Sequence, residues 1–464
     1  YTILSGSLML PEVREAMVAA SQHYVHLDEL AEGVGRRLAQ LTGAEWGMVS
    51  SGCSAALTHA TAACVAGGNP DLHVRLPDLR GFPRDEAIIP RASRNVYDAA
   101  VRAVGVRVVE VESLEELDAA FGPRTALVYI FAGPWADEGP LDTRTVAERA
   151  RARGVPVLVD AAAEILTVPN VHLEAGADLV GYSGGKCLRG PQTAGLLLGR
   201  EDLVRAAWVH SAPHHGFGRA MKVGKEEAMG MLAAVETWMK RDHEAEWAEW
   251  TRWLQTIAQR LAPLEGVTTS VVEPIGLSNR TPTLRVRWDP ERQGVTGREV
   301  SERLFGGGPR VALAPAGGDG QETGVTINPY MLSPGEDEVV AAALHAVLAN
   351  PSPRPRRSPA PSGTDLTGEW EVEIEYAAGR SAHRLFLRQK GAALEGSHRG
   401  DFVERALTGR VDGADIEVRS VVTEKEDGNS LVYTFTGIVT RDTMAGSLDL
   451  GEYLQARWTA RRRV

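Results

Sequence analysis

The stretch ADLVGYSGGKCLRGPQTAGLLLG, residues 177–199, decides the fold. Its two ends, ADLVGYS and TAGLLLG, are continuous apolar runs rather than alternating ones, as strands buried on both faces require. Between them a single lysine, Lys186, follows two glycines and precedes a Gly-Pro pair. A lysine on a solvated helix face needs no such turn. One whose amine is aimed into a pocket does, and the glycines are expected to let the backbone approach a ligand and the side chain swing.

Moving outward, TALVYIFAG (125–133) and VPVLVDAAA (155–163) have the same continuous apolar character, and DTRTVAERARARG (142–154) between them reads as a helix closed by glycine. Strand, helix and strand in this rhythm predict an α/β fold with a mostly parallel sheet, whose functional groups sit at the carboxyl ends of the strands. Residues 235–261 read as one long helix, with Trp250, Leu254, Ile257 and Leu261 on a single stripe that is read as packing. TPTLRVRW (281–288) and TGVTINPY (323–330) then read as strands of a smaller α/β lobe. NPSPRPRRSPAPSG (350–363), dense in Pro, Arg and Ser, reads as a semi-rigid linker. Beyond it the period changes to two, from GEWEVEIEY to QARWTARRRV, with Gly or Asp turns; this predicts an antiparallel barrel or sandwich of about eight strands. The expected domains are 1–240 (large), 241–349 (long helix and small lobe), 350–363 (linker) and 364–464 (β-barrel), with residues 1–20 packing on the small lobe.

At 43% hydrophobic and 24% charged, the 464 residues are ordinary globular sequence. A net charge of −11 argues against a protein that holds a nucleic-acid backbone. Cys53, Cys64 and Cys187 lack C-x-x-C spacing, so neither a disulfide framework nor a zinc site is expected, and a reducing cytoplasm fits. No apolar run reaches the ~18 residues of a membrane span. The opening YTILSGSLML has no basic segment followed by a small-residue cleavage site, so no secretory signal is expected.

Three features carry chemistry. In VSSGCSAAL (49–57) an apolar run passes through Ser-Gly-Cys-Ser into helical sequence. Its free amides, with the Ser51 and Ser54 hydroxyls, would hold a phosphate, although a capped helix start without ligand reads the same way. Asp160 closes the run VLVD, where a carboxylate can cap a helix or face a protonated ring nitrogen. Lys186 follows 26 positions later. A phosphate cradle, an acid for a ring nitrogen and a lysine for an imine are together the parts that bind pyridoxal 5′-phosphate. In HSAPHHG (210–216), His210 and His214 are four apart but Pro213 breaks the helix, so a metal site is not expected; His214 or His215 entering the substrate pocket is the favoured reading. A substrate carboxylate calls for an arginine fork, for which Arg285, Arg287 and Arg219 are candidates in no order.

YSGGKCLRGPQTAGLLLGR, VDAAAE, SSGCSAAL and GFGRAMKVGKEE (216–227) together resemble the SelA-like branch of fold-type I pyridoxal-phosphate enzymes, over roughly residues 1–348. SGSLMLPEV (5–13) and INPYMLSPGEDE (327–338) are similar to that branch's entry segment and small-lobe ending. The resemblance implies Lys186 as the Schiff-base residue, Asp160 at the ring nitrogen, and Gly52, Cys53, Ser54 and Ser183 around the phosphate. It also implies a homo-oligomer with shared sites, in which Arg219, Lys222 or Lys225 reach a neighbouring pocket; a solvated helix start is the competing reading of those cations. Relatives tend to read R-G-H-R-N-A-Y-D where this chain has RASRNVYD (91–98), so Ser93 stands in for a histidine expected to stack on the ring. Asn95 and Tyr97 remain as candidate pocket groups, with Tyr97 read as packing.

The C-terminal module resembles small lipocalin-like barrels through QARWTARR, with Gln455 where they carry glycine. The expected activity is an α,β-eliminating lyase of the ammonia-lyase type: Lys186 takes the Cα proton of an amino acid and a β-substituent leaves. Racemisation or epimerisation through the same carbanion is the alternative. Selenium transfer to seryl-tRNA conflicts with the acidic balance, and Lys186 with Asp160 speaks against a non-catalytic binding protein. Neither nucleic acid nor membrane is an expected partner.

Overall fold

A computed structural model describes residues 2–316, 323–350, 363–421 and 431–463. The chain divides into two compact units, Tyr1–Pro355 and Arg356–Val464. Apart from its two end residues, the expected linker lies outside the described residues.

The first unit is built on a seven-stranded sheet: β1 (Trp46–Ser50), β2 (Glu86–Pro90), β3 (Arg107–Val111), β4 (Thr125–Phe131), β5 (Val157–Asp160), β6 (Leu179–Ser183) and β7 (Gly195–Gly199), in the order β1-β7-β6-β5-β4-β2-β3. The neighbours β3, β2, β4, β5 and β6 pair in parallel, and β7 runs antiparallel to both β6 and β1. β1 therefore points the same way as β6. Ser50, Phe131, Asp160 and Ser183 end their strands along one edge of the sheet.

The continuous apolar runs have the expected cause, for β4 to β7 are buried on both faces. Val128, Val159, Val180 and Leu198 pack into one core with Leu38 of α2 (Leu27–Thr42) and with Met231 and Val235. Leu127, Leu158, Leu179 and Leu197 pack into the other with Ala56, Ala60 and Ala63 of α3 (Gly52–Ala66).

The predicted helix over 235–261 is two helices, Lys225–Trp238 and His243–Leu261. Asp242 starts the second, its side chain accepting from the Ala245 amide; a short polar residue offers more as an N-cap than as a helix interior. Residues 1–20 also depart from expectation. α1 (Pro11–Ser21) lies on the helix Lys225–Trp238 of the large lobe, with Val13, Met9, Leu10 and Met17 in its core.

The small lobe is an antiparallel sheet of β8 (Val267–Val272), β9 (Thr283–Trp288), β10 (Ala314–Ala316) and β11 (Thr323–Ile327), ordered β10-β11-β9-β8. Leu254, Ile257 and Leu261 pack there against Leu284, Val286 and Val325.

The second unit is a closed antiparallel barrel of β12 (Gly368–Glu375), β13 (Arg380–Lys390), β14 (Ala393–Arg399), β15 (Glu404–Asp412), β16 (Asp415–Val421), β17 (Tyr433–Thr440), β18 (Thr443–Asp449) and β19 (Gln455–Arg462), with β12 pairing β19. Period-two burial places Trp370, Phe435 and Trp458 inside. Among the described residues, no helix is long and apolar enough to cross a membrane.

Candidate active site

The lysine turn is laced to the strands on either side of it. The Gly184 amide donates to the Ala194 carbonyl (2.8 Å) and the Gly190 amide to the Gly184 carbonyl (2.8 Å). A Cβ on Gly184 would stand 2.7 Å from the Ala194 oxygen, and one on Gly185 would stand 2.8 Å from the Gln192 Cα. Neither has a left-handed φ. These glycines thus make room for the returning chain itself, not for a ligand as the sequence suggested. The entry segment joins the same turn: the Ser7 amide donates to the Gly185 carbonyl (2.9 Å) and the Leu10 amide to the Arg189 carbonyl (3.2 Å). Lys186 is held half-buried.

Asp160 is 1% exposed at the end of β5. One carboxylate oxygen accepts from the Ala162 amide (3.0 Å) and from the Cys53 thiol (3.7 Å), the other from the Tyr129 hydroxyl (3.0 Å). Burial raises its pKa, opposed by the Ala162 and Tyr129 hydrogen bonds and by the charge of Lys186. Burial likewise pushes the Cys53 thiol well up, with Asp160 adding to the shift and Lys186 opposing it. Lys186 and Asp160 therefore feel one another across the strand ends. Among the described residues its hydrogen-bond donors are all neutral, and such a buried carboxylate suits a cationic N–H.

At the start of α3 the Ser51 side chain makes no capping hydrogen bond, so the amides of the first turn keep their donors. Gly52 takes a φ of 82°, a conformation that favours glycine. β7 presses against this turn, for a Cβ on Gly195 would lie 2.5 Å from the Cys53 nitrogen. Ser54 is exposed beside it, and half-buried Ser183 ends β6, the neighbour of β7. Amide donors, Ser54, Asp160 and Lys186 fit a phosphorylated pyridine aldehyde. When bound, such a group would sit with its phosphate at α3, its ring nitrogen at Asp160 and its aldehyde at Lys186.

Ser93 follows β2 and is 1% exposed; the Asn95 side chain donates to its carbonyl (2.8 Å) and reaches the Tyr129 hydroxyl. These two residues thus join Asp160 through Tyr129. Tyr97 is 54% exposed, against its expected role in packing.

Other candidates lie elsewhere. His214 faces Asp28 (3.2 Å) in a cavity of about 330 Å³ between α2, β1 and the helix Glu201–Val209, where Lys186 has no part. His215 is exposed, and its carbonyl contacts His73. Arg219 and Lys222 are exposed on the segment that leads into the helix Lys225–Trp238. Arg285 is exposed on β9, paired with Ser270 and Thr326.

The cavity that does contain Lys186 measures about 190 Å³. Ala163, Ile165 and Leu166, just past Asp160, line it with Trp238, Trp247, Trp250 and Tyr330, and its polar members include Arg241, Asn279 and Arg280. Sequence reading missed this wall, because a tryptophan at helical spacing looks like core. The available signal was SNRTP (278–282), a polar loop running into a strand.

The sequence profile of the family "Aminotransferase class-V" matches residues 91–274. The chain is 29% identical to D-glucosaminate-6-phosphate ammonia lyase of Salmonella typhimurium (strain 14028s / SGSC 2262) over 356 residues, 75% of this chain and 93% of the relative. It is 33% identical to 5′-C-glycyluridine monooxygenase-decarboxylase of a Streptomyces species over 363 residues, 75% of this chain and 88% of the relative. A solved structure of D-glucosaminate-6-phosphate ammonia-lyase superimposes with a TM-score of 0.66 at 27% identity, covering 75% of this chain and 94% of that one.

Proposed function

Because the chain belongs to the SelA-like branch of fold-type I enzymes, which depend on pyridoxal 5′-phosphate, we propose that it is a lyase removing the Cα proton of an amino acid and expelling a β-substituent. Lys186 is the base that takes the proton and later returns one. The bound coenzyme supplies the imine and the electron sink. Asp160 keeps a proton on the ring nitrogen, and the Tyr129 hydroxyl and Ala162 amide hold its carboxylate in place. The first amides of α3, with Ser54 and Ser183, bind the phosphate.

The observation that carries this reading is the shared position of Lys186, electrostatically coupled to Asp160 on one side and lining the aromatic cavity on the other. The relative named as an ammonia lyase supports elimination as the outcome. A second reading has its own support: the relative at 33% identity is named a monooxygenase-decarboxylase, and in such a reaction dioxygen gives one atom to Cα and one to water, while the carboxylate leaves as carbon dioxide and an amide remains. We also propose a homo-oligomer in which exposed Arg219 and Lys222 complete a neighbour's phosphate site.

The test is to incubate the holoenzyme with L- and D-amino acids in deuterated water, following Cα exchange, keto-acid and ammonia release, oxygen uptake and carbon dioxide. Keto acid and ammonia without oxygen uptake support the lyase. Oxygen uptake with carbon dioxide replaces it with the oxidative reading, and exchange with inversion alone replaces it with a racemase.

A further inference from the structure

Two guanidinium groups line the cavity beside Lys186, and they differ in their commitments. Arg241 is held by both carboxylate oxygens of Glu246 (2.7 and 2.9 Å) and donates to the Cys187 carbonyl (2.9 Å). Arg280 has no ion-pair partner among the described residues and is exposed. Its position is nevertheless fixed. The Asn279 amide donates to the Ala163 carbonyl (2.8 Å) and the Ile165 amide to the Leu277 carbonyl (3.2 Å), stitching the small-lobe loop to the segment that follows Asp160. Asn279 takes a φ of 45°, which asparagine tolerates better than most residues. Next to it, the Thr281 hydroxyl donates to the Asn328 side chain (3.3 Å).

The aromatic wall divides in the same way. Trp238 is already covered, by His243 at 4.2 Å and the Arg241 guanidinium at 4.9 Å. Trp250 and Trp247, about one and two turns before the buried Trp253, are half-buried and tilted by 57° to each other at 6.3 Å, so neither covers the other's face. Trp250 is also tilted by 57° to Tyr330. Half-buried aromatic rings that line a cavity attract a further ring in offset or edge-on contact, which a polyol or a short alkyl chain cannot match.

We propose that this cavity receives an α-amino acid whose side chain carries a planar ring, with Trp247 and Trp250 walling the ring and Arg280 clasping the carboxylate. The inference rests on the reading of Lys186 as the base at the substrate's Cα, and it gives the substrate class for that site. It also replaces Arg285, Arg287 and Arg219 with Arg280 as the carboxylate residue.

The test uses non-reacting probes on the full chain: calorimetric binding of 3-phenylpropionate, its neutral amide and hexanoate, beside the coenzyme's visible band. 3-Phenylpropionate is expected to bind at least about fivefold tighter than hexanoate and about tenfold tighter than the amide. Arg280→Ala should remove the acid's advantage over the amide, with Arg280→Lys restoring part of it and neither altering the visible band. Trp247→Ala and Trp250→Ala should erase the preference for the ring while hexanoate binds as before. The inference is overturned if hexanoate equals the ring acid in the wild type, or if Arg280→Ala binds the acid unchanged. Arg280-dependent binding by a protein with no visible band would uphold the cavity while removing the coenzyme reading; a visible band without acid binding would do the reverse.

Discussion

Replacing Asp160 with asparagine separates folding from chemistry. The side chain is buried and keeps its shape. In the variant the amide oxygen can still accept from the Ala162 amide, and the new NH2 can donate to the Tyr129 hydroxyl, which also contacts Asn95. No cavity results, and the Tyr129 hydroxyl, which gave its proton to the carboxylate, is left without that acceptor. The charge is lost, however, and a buried cation deprived of its anion costs about 3–5 kcal/mol. That corresponds to a fall of about 10²–10⁴-fold in the rate of Cα exchange in deuterated water. In the coenzyme-free protein the same carboxylate makes stability depend on pH. Burial raises the Asp160 pKa in the folded state, so its contribution to stability is full below the unfolded carboxyl value and is lost as pH rises through the folded value. Asp160→Asn should remove this carboxyl's share of the pH dependence in urea titrations of the coenzyme-free chain. Exchange within about threefold of wild type, or a coenzyme-free stability whose pH dependence is unchanged, would refute the role given to this carboxylate.

Gly195→Ala drives a methyl group into the first turn of α3 and should cost about 1–3 kcal/mol in chemical denaturation, with coenzyme affinity falling as the amides shift. Glu164→Ala removes the carboxylate that the buried His172 ring contacts at 2.6 Å; a loss of about 1–3 kcal/mol is expected in the same assay. Mixing Lys186→Ala chains with Arg219→Ala/Lys222→Ala chains should regenerate activity that neither homo-oligomer has, since each mixed interface restores one intact site. Trp458→Ala, at a barrel position 1% exposed, should lower one calorimetric transition by about 3–5 kcal/mol and leave the visible coenzyme band intact.

How far the sequence was legible follows from which forces leave local traces. Burial on both faces writes itself as an apolar run, so β4 to β7 could be read directly, and period-two alternation marked the eight barrel strands equally well. The break at Asp242 was hidden because the apolar stripe continues across it while a single capping side chain decides the boundary. Lys186 and Asp160 stood out through strand-end position and turn chemistry. Tyr129 did not, being one aromatic residue in a buried strand whose hydroxyl finds Asp160 only after the sheet forms. Arg280 was passed over for Arg285 and Arg287 because a strand with two arginines draws attention, whereas exposure on β9 and entry to the cavity are decided by tertiary register.

The most direct measurement is borohydride reduction of the purified holoenzyme followed by peptide mass spectrometry. The account predicts that the visible band disappears and that a single pyridoxyl group is fixed on Lys186, in the peptide containing YSGGKCLR. A label on Lys222, Lys225 or any other lysine, or a reconstituted protein with no reducible band, would contradict it.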